Sequence, residues 1–384
     1  MFSEHTSAEM ILFFIFYGVT GAMALFAAAY LLLRRGNAFA PEVTPPLRLR
    51  RWAASFFAVS ALGHVWWLLL YIFSDDSHSG VVFSHSVGYV VVVVLDCVTL
   101  LTTMAGTLLT MLQDRRRPVW PVFVAMIPFV VLGGMLMVSP SERLLQIAVA
   151  YVVLLYVLFT VYVAFAVRQY GRWLRDNYAD LERKEVWITH VVSLVFMLLF
   201  IFYAIVDTNI ILIFLLHVVQ LVFFGLLLWR VETLPQLDSI SAEEALGSAA
   251  SLCEEPDVLT QAQQAPATSA NINLDQVEQL LAEYCVKTQL YLQHDLTLQQ
   301  LAQAVGLNRY YISQYFSTKG LNYNTYINGL RITHFVNIYR EAVDTHQSIT
   351  AQQLADQSGF HSYRTFSEAF RRVMNQSVST WMKD

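Results

Sequence analysis

Two stretches near the C-terminus, residues 297–317 (TLQQLAQAVGLNRYYISQYFS) and 350–370 (TAQQLADQSGFHSYRTFSEAF), are near copies of each other. Each opens with a Thr-x-x-Gln pair, the spacing of a capping box in which two side chains satisfy free amides at a helix start. Five residues after a shared leucine comes Gly306 or Gly359, and glycine allows the positive φ of a sharp turn between helices. Each stretch is therefore predicted to form a helix, a tight turn and a second helix.

The second helix of each copy is predicted to have one buried and one outward face. Asn308 and Ser362 are suitable N-caps for these helices. Apolar pairs spaced i, i+4 mark the buried faces. They are Ile312 with Phe316, and Phe366 with Phe370. The outward faces carry polar and aromatic residues that can hydrogen-bond base edges or phosphates, and a helix fits the major groove. A solvated face would explain one such helix alone, but two tandem copies favour a nucleic-acid interface.

Residues 275–384 as a whole resemble the AraC/XylS-type DNA-binding domain, in which a long helix joins two helix-turn-helix units. The joining helix is expected at residues 324–342, where Tyr326-x-x-x-x-Arg331-Ile332 is similar to the family's Tyr-to-Arg-Ile spacing. The resemblance implies that residues 308–317 and 362–372 are recognition helices entering successive major grooves of double-stranded DNA. It implies base-facing roles for Tyr310, Ser313, Gln314, Tyr363, Arg364 and Glu368, and phosphate contacts for Arg309, Arg371 and Arg372.

Four positions depart from the family pattern. Gly320 follows the first unit one residue early, and Gly329 stands inside the joining helix where a better helix former is common. Asn375 and Val378 stand where the family usually has Gly and Pro. Asn tolerates the left-handed conformation, and none of the four departures removes a core position.

The composition of the whole chain indicates a membrane protein, because 56% of its residues are hydrophobic, only 14% are charged and the mean hydropathy is +0.48. Its apolar residues are concentrated in stretches of about 20 residues, the length that crosses a bilayer as a helix. These stretches are residues 10–33, 52–73, 87–112, 118–138, 144–167, 186–206 and 209–231. The predicted fold is all-α, with a seven-helix transmembrane bundle before the tandem helix-turn-helix domain.

Basic residues in the connections predict the orientation of the bundle. Residues 34–51, 113–117 and 168–185 contain five, three and five Lys or Arg, whereas the alternate connections contain one in total, Arg143. By the positive-inside rule, the N-terminus lies outside and the chain after the seventh span is cytoplasmic. This orientation agrees with a DNA-binding tail.

Residues 232–270 are expected to be a flexible linker between domains at 1–231 and 271–384. They contain seven acidic and no basic residues, together with three prolines, and a segment of this composition cannot bury a core. The tail has nine acidic and nine basic residues, so strong non-specific attraction to phosphates is not expected. A dimer in the membrane would add affinity through effective concentration, and we expect one.

Three ionisable residues inside the expected spans, His64, Asp96 and His217, are candidates for a sensor site. Each lies eight or nine residues from the outer end of its span, which places all three at about 12 to 14 Å depth. Polar groups at this depth are costly and point to function. Together they could receive a small ligand, bind a metal or respond to pH, whereas separately they would be helix-packing hydrogen bonds.

Nothing in the sequence predicts catalysis, a metal centre or a cofactor. It has no Walker loop, dinucleotide fingerprint, HExxH motif or kinase signature. The three cysteines form no CxxC pair and suit a reduced cytoplasm. We therefore expect no enzyme, but a one-component transcription regulator in a bacterial inner membrane that senses an envelope or intramembrane signal. The alternatives are a transporter or membrane enzyme with a C-terminal protein-interaction module, and a membrane-tethered factor released by proteolysis.

Overall fold

The computed structural model describes residues 7–34, 36–73, 87–205, 210–237, 274–346 and 350–383, and every named element in these ranges is a helix. This confirms the predicted all-α class. The chain divides into two compact units. The first consists of Met1–Arg168 and Val186–Ala242, and the second consists of Gln169–Glu185 and Glu243–Asp384. The second unit therefore includes a piece of the N-terminal half of the chain, which the sequence did not predict.

The first unit is built from long apolar helices. They are α1 (Ser7–Leu33), α2 (Leu47–Phe73), α3 (Val87–Met111), α4 (Trp120–Val138), α5 (Glu142–Asn177), α6 (Trp187–Ile205) and α7 (Ile210–Thr233). Within the described ranges, six of them are long and apolar enough to cross a membrane. Helix α6 contributes a shorter apolar stretch, Trp187–Leu199. Helix α5 passes from the first unit into the second, which contains its residues from 169 onward.

Small side chains allow the helices of the first unit to approach closely, as is usual in membrane bundles. Helix α1 packs on α2 and α7, and it buries Ala24 and Ala27 completely. Gly106 on α3 lies against Trp52 of α2, and a Cβ atom there would come within 2.3 Å of the indole. The outer surface carries many exposed large apolar side chains, which suit a lipid environment better than water.

A polar network holds the end of α7 within the first unit. Glu232 is fully buried, and its carboxylate lies 3.2 Å from Nε of Arg50 and accepts a hydrogen bond from the Tyr30 hydroxyl at 3.1 Å. Beyond α7, Gln113 binds the backbone of Pro235 and Leu237 at 3.0 and 2.8 Å. The first residues of the expected linker are thus fixed, and its residues 238–270 lie outside the described ranges.

The second unit contains the tail helices. They are α8 (Leu274–Leu281), α9 (Leu298–Val305), α10 (Arg309–Thr318), α11 (Tyr323–Asp344), α12 (Ala351–Gln357), α13 (Tyr363–Met374) and α14 (Val378–Trp381). A π-helical turn, Ala282–Lys287, continues α8 and leads through a short 3-10 turn, Leu290–Leu292, to α9. Helices α9 and α10 form the first helix-turn-helix unit, α12 and α13 form the second, and α11 joins them.

The local signals in the two repeats act as the sequence predicts. Thr297 with Gln300, and Thr350 with Gln353, form complete capping boxes at the starts of α9 and α12. Gly306 has φ of 72° and Gly359 has φ of 83°, so both inter-helix turns use the left-handed region that favours glycine. Asn375, where the family usually has Gly, also has positive φ, at 56°.

Each helix-turn-helix unit has its own apolar core. The predicted core residues Ile312, Phe316, Phe366 and Phe370 are all at most 3% exposed. Arg331 of α11 is also buried, and its guanidinium donates to the carbonyls of Tyr291 and Gln293, both at 2.7 Å. Because those acceptors satisfy its hydrogen bonds inside the domain, the Arg in the family-like Tyr-to-Arg-Ile motif has a structural role here.

Candidate nucleic-acid interface

Helix α10 presents its predicted reading face to solvent. Asn308 caps the helix by accepting a hydrogen bond from the Tyr310 amide at 2.9 Å. The opposite side of the helix is fixed in the core, so the outward direction of the predicted base-facing side chains is set by packing. Tyr310 is 66% exposed, and Ser313 and Gln314 are exposed as well. All three can reach a partner that lies along this face.

Helix α13 presents a second reading face, with Tyr363, Arg364 and Glu368 exposed. Arg364 donates from Nε to the Glu368 carboxylate at 3.1 Å, with 80% and 61% of the two side chains exposed. Exposed pairs of this kind contribute at most about 1 kcal/mol, so a base edge can compete for either member. Arg371 and Arg372 are exposed in the last turn of α13. Their charge suits the phosphates that flank a groove.

Arg309 differs from the other predicted DNA contacts, because it is only partly exposed and its guanidinium donates to the side chain of Asn177. Burial lowers the pKa of Arg309, although a guanidinium stays protonated in proteins. Asn177 belongs to Gln169–Glu185, which we call the docked segment. This segment connects α5 to α6 in sequence and lies in the second unit.

The docked segment takes part in the core of the first helix-turn-helix unit. Ala179 is fully buried in that core. Its amide donates to the Leu296 carbonyl at 3.3 Å, and Tyr178 and Thr297 form an antiparallel β-type bridge. The Ala179 carbonyl accepts from the side-chain amides of two buried α11 residues, Asn324 at 2.6 Å and Asn328 at 3.2 Å. The segment is thus part of the fold of the second unit.

The docked segment also contacts the second helix-turn-helix unit, at the start of α13. Glu182 accepts hydrogen bonds from the hydroxyls of Ser362, which caps α13, and of Thr365, at 3.1 Å for the latter. Nearby, Lys184 forms a 3.1 Å ion pair with Asp295. Burial raises the pKa of Glu182, but the two hydroxyl donors together with the charges of Arg183 and Arg364 outweigh that effect and hold the pKa below its ordinary value. The carboxylate is therefore charged at neutral pH.

Few features of the sequence point to the docked segment. The basic residues of 168–185 indicate only a connection that reports orientation. Ala179 and Tyr178 are apolar residues within that connection, and a buried contact is one explanation of such residues. Their partners lie more than a hundred positions further along the chain, so no local periodicity links the two stretches.

Two of the expected sensor residues lie close to one tyrosine in the first unit. The ring of His64 is 4.7 Å from that of Tyr17 between centroids, and the ring of His217 is 5.9 Å from it. His64 is also hydrogen-bonded at both ring nitrogens, to the Ser60 carbonyl at 2.7 Å and to the Thr20 hydroxyl at 3.0 Å. The structure therefore groups the two histidines around Tyr17.

Asp96, the third expected sensor residue, has a different set of partners. Its carboxylate accepts from the indole N–H groups of Trp66 at 3.1 Å and Trp67 at 2.6 Å. It lies against Gly63, where a Cβ would come within 2.8 Å of Oδ1. The sequence did not identify these two tryptophans as partners of Asp96. Among the described residues, no group of three or more His, Cys, Asp or Glu is placed to hold a metal ion.

Comparison with known families identifies the C-terminal region. Residues 301–384 match the family model described as a helix-turn-helix domain, which is of the AraC type. No curated protein and no solved structure matches the chain. The matched residues cover α10 and α13, and the match confirms the resemblance inferred from the repeats. An AraC-type domain supports DNA binding in transcription regulation and is not itself catalytic.

Proposed function

We propose that this protein is a membrane-embedded, one-component transcription regulator. In this proposal the first unit receives a signal, and the AraC-type domain binds promoter DNA in the cytoplasm. The observation that carries the proposal is the pair of helices α10 and α13, each fixed by a buried apolar side and each presenting hydrogen-bonding side chains outward. Two such helices joined by one long helix suit two successive major grooves.

The proposed location is the inner membrane of a bacterium, with the tail on the cytoplasmic side. The long apolar helices of the first unit and their exposed apolar side chains support contact with lipid. The bias of basic residues to alternate connections supports the orientation. We propose that neither unit is an enzyme.

The proposed base contacts are Tyr310, Ser313, Gln314, Tyr363, Arg364 and Glu368, and the proposed phosphate contacts are Arg309, Arg371 and Arg372. Arg364→Ala should weaken binding to the preferred sequence by about 1 to 3 kcal/mol if its guanidinium reads a base. A matched control is Arg371→Ala, which should weaken binding to all duplexes alike. If Arg364→Ala also acts uniformly, its guanidinium contacts phosphate and not a base.

We also propose that the protein acts as a homodimer. The tail carries balanced charge, so a single copy has little non-specific attraction to DNA. Two tails held side by side by membrane domains gain effective concentration for adjacent half-sites. Counting subunits by single-molecule photobleaching in native membranes tests this, and a uniform single-step population would contradict it.

For the signal, we propose that His64, Asp96 and His217 respond to a small ligand or an envelope condition. Their support is the placement of polar groups among apolar helices, where each is costly without a role. Asp96→Asn should change the response of a target promoter across growth conditions while leaving promoter occupancy possible. Thr99→Val, which removes a neighbouring polar group of α3, is the matched control, and an unchanged response to Asp96→Asn would contradict the role of Asp96.

The experiment that tests the regulator proposal is genome-wide crosslinking of the full-length protein to DNA. The comparison is an Arg364→Ala, Gln314→Ala double variant present at the same level in the membrane. Discrete peaks that disappear in the variant are the expected result, and the genes beneath them narrow the signal. An absence of peaks in every growth condition would favour a transporter or membrane enzyme whose tail binds proteins, and tail fragments in the cytosol would favour proteolytic release.

A further inference from the structure

We infer that the docked segment, Gln169–Glu185, is an internal competitor of DNA, and that it must leave the N-terminal ends of both recognition helices before the AraC-type domain grips a duplex. The inference rests on the proposed function, because it requires that α10 and α13 bind DNA. It adds the means by which one cytoplasmic connection of the membrane helices controls that binding.

The Glu182 carboxylate lies at the start of α13, where it accepts hydrogen bonds from the hydroxyls of Ser362 and Thr365. A helix start attracts anions through its unpaired amides and its dipole, and in DNA complexes such positions bind phosphate oxygens. A carboxylate and a phosphate present the same chemistry to these donors. Both cannot occupy the position together, so Glu182 excludes a DNA phosphate there.

The docked segment also holds a side chain at the start of α10. Arg309 is the first residue of that helix, and its guanidinium donates to the side chain of Asn177. A side chain that is held in this way and partly buried is not free to extend to a phosphate. The docked segment therefore engages a charged or hydroxyl group at the start of each recognition helix. Gln314, further along α10, is exposed, and so is Arg364, which lies between the two α13 residues that bind Glu182.

The docked segment is linked by the chain itself to two long apolar helices. It contains the end of α5, and α6 begins at Trp187, two residues after its last residue. In this proposal, a change in the ends of α5 or α6 is passed along the chain to Asn177 and Glu182. The contacts to α13 involve side chains only, so they can be broken while Ala179 keeps its backbone bonds to Leu296 and Asn324.

The test uses the full-length protein in lipid nanodiscs. The probe is a duplex selected from a random-sequence library with the wild type and, in parallel, with an Asn177→Ala, Glu182→Gln double variant. Affinity for that duplex is then measured for each single variant. Charge-assisted hydrogen bonds of this kind correspond to about 3- to 10-fold in affinity when partly exposed, so each variant should bind DNA tighter by about that factor.

The two variants control for each other. Glu182→Gln removes a negative charge, which favours DNA binding in any position. Asn177→Ala changes no charge; it releases Arg309 and removes one further hydrogen bond, from the Asn177 amide to the Trp173 carbonyl within α5. Glu341→Gln removes an exposed carboxylate elsewhere in the same unit and should change affinity far less. A gain for Asn177→Ala, and a gain for Glu182→Gln that exceeds the gain for Glu341→Gln, support the competition.

A covalent lock gives the decisive outcome. In a Cys253→Ser background, where the remaining Cys97 and Cys285 are buried, Glu182→Cys with Thr365→Cys joined by a short bis-maleimide should lose DNA binding, while reagent-treated variants with only one of the two added cysteines retain it. Locked protein that binds DNA as well as unlocked protein overturns the competition but leaves the regulator proposal standing. If neither the wild type nor the released double variant selects any duplex, both the competition and the proposed function fail.

Discussion

The two helix-turn-helix units are near copies in sequence, yet they complete their cores in different ways. The second core consists of residues from Ile332 to Val378, all within the tail. The first core includes Ala179, which lies about a hundred residues before Val277, the next residue of that core along the chain. Repeated local sequence thus specifies repeated helices and turns, but it does not specify what closes the core. The core of the first helix-turn-helix unit depends on the docked segment, and the core of the second helix-turn-helix unit does not.

Buried polar groups explain why this dependence is strong. Asn324 and Asn328 of α11 are 3% and 5% exposed, and their side-chain amides find an acceptor in the Ala179 carbonyl. A buried amide without a partner costs about 1 to 3 kcal/mol. Removal of the docked segment would therefore leave unpaired buried amides in the core of the first helix-turn-helix unit, and none in the core of the second. A structural change at the end of α5 would therefore act on the first core through buried Ala179, and on the start of α13 only through the side chain of Glu182.

The largest expected effect comes from placing a charge in one core at a time. Ala179→Asp should destabilise the first helix-turn-helix unit by about 3 to 5 kcal/mol, because it buries an unpaired carboxylate. Hydrogen exchange of the full-length protein in nanodiscs should show lost protection in α9 and α10, with α12 and α13 still protected. The reciprocal variant Ala369→Asp should produce the opposite pattern. Equal loss of protection in both helix-turn-helix units would mean that they unfold together. Their cores would then not be independent, contrary to the difference drawn above.

The glycines of the two turns provide the next effect. Gly306→Ala should cost about 1 kcal/mol, because it only places a side chain at positive φ. Gly359→Ala should cost about 2 to 4 kcal/mol, because a Cβ there also comes within 2.6 Å of the Leu292 carbonyl oxygen. Urea-induced loss of protection in each unit measures both costs. Equal costs would show that the Leu292 backbone moves aside.

Local features of the tail could be predicted from the sequence, but its contacts with distant residues could not. Capping boxes, turn glycines and the apolar pairs of α10 and α13 are local patterns, and each was predicted from the residues themselves. Arg309 was predicted as a phosphate contact from its place in the motif, which remains our proposal. Its partner Asn177 could not be found that way, because hydrogen bonds between distant stretches leave no periodic pattern in either stretch.

In the apolar helical unit as well, the sequence did not determine which residues contact each other. Depth along each span placed His64, Asp96 and His217 at one level, but depth does not determine which side of a helix a residue faces. His64 and His217 lie close to Tyr17, whereas Asp96 binds the indoles of Trp66 and Trp67. Neighbouring positions 63 to 67 of α2 point in different directions around the helix, so packing alone decides their partners.

A smaller effect separates local from tertiary stabilisation. Thr297→Ala and Thr350→Ala each remove a capping box, and each should cost about 1 kcal/mol in its own unit. Because both side-chain networks are local, the costs should be equal to within a few tenths of a kcal/mol, as judged by hydrogen exchange of α9 and α12. A clearly larger cost for Thr297→Ala would mean that the β-type bridge between Tyr178 and Thr297 depends on the cap.

The smallest effect is expected on the exposed face of α13, where Arg364 and Glu368 pair at 3.1 Å. Glu368→Gln should change the stability of the second helix-turn-helix unit by less than about 0.5 kcal/mol, since an exposed i, i+4 pair contributes little. The same variant should nevertheless alter the sequence selected from a random duplex library, because a carboxylate accepts from cytosine N4 and Gln prefers adenine. Unchanged selection together with unchanged stability would remove Glu368 from the reading face. The first helix-turn-helix unit, whose exposed Gln314 has no charged neighbour four residues away, would then carry more of the sequence specificity.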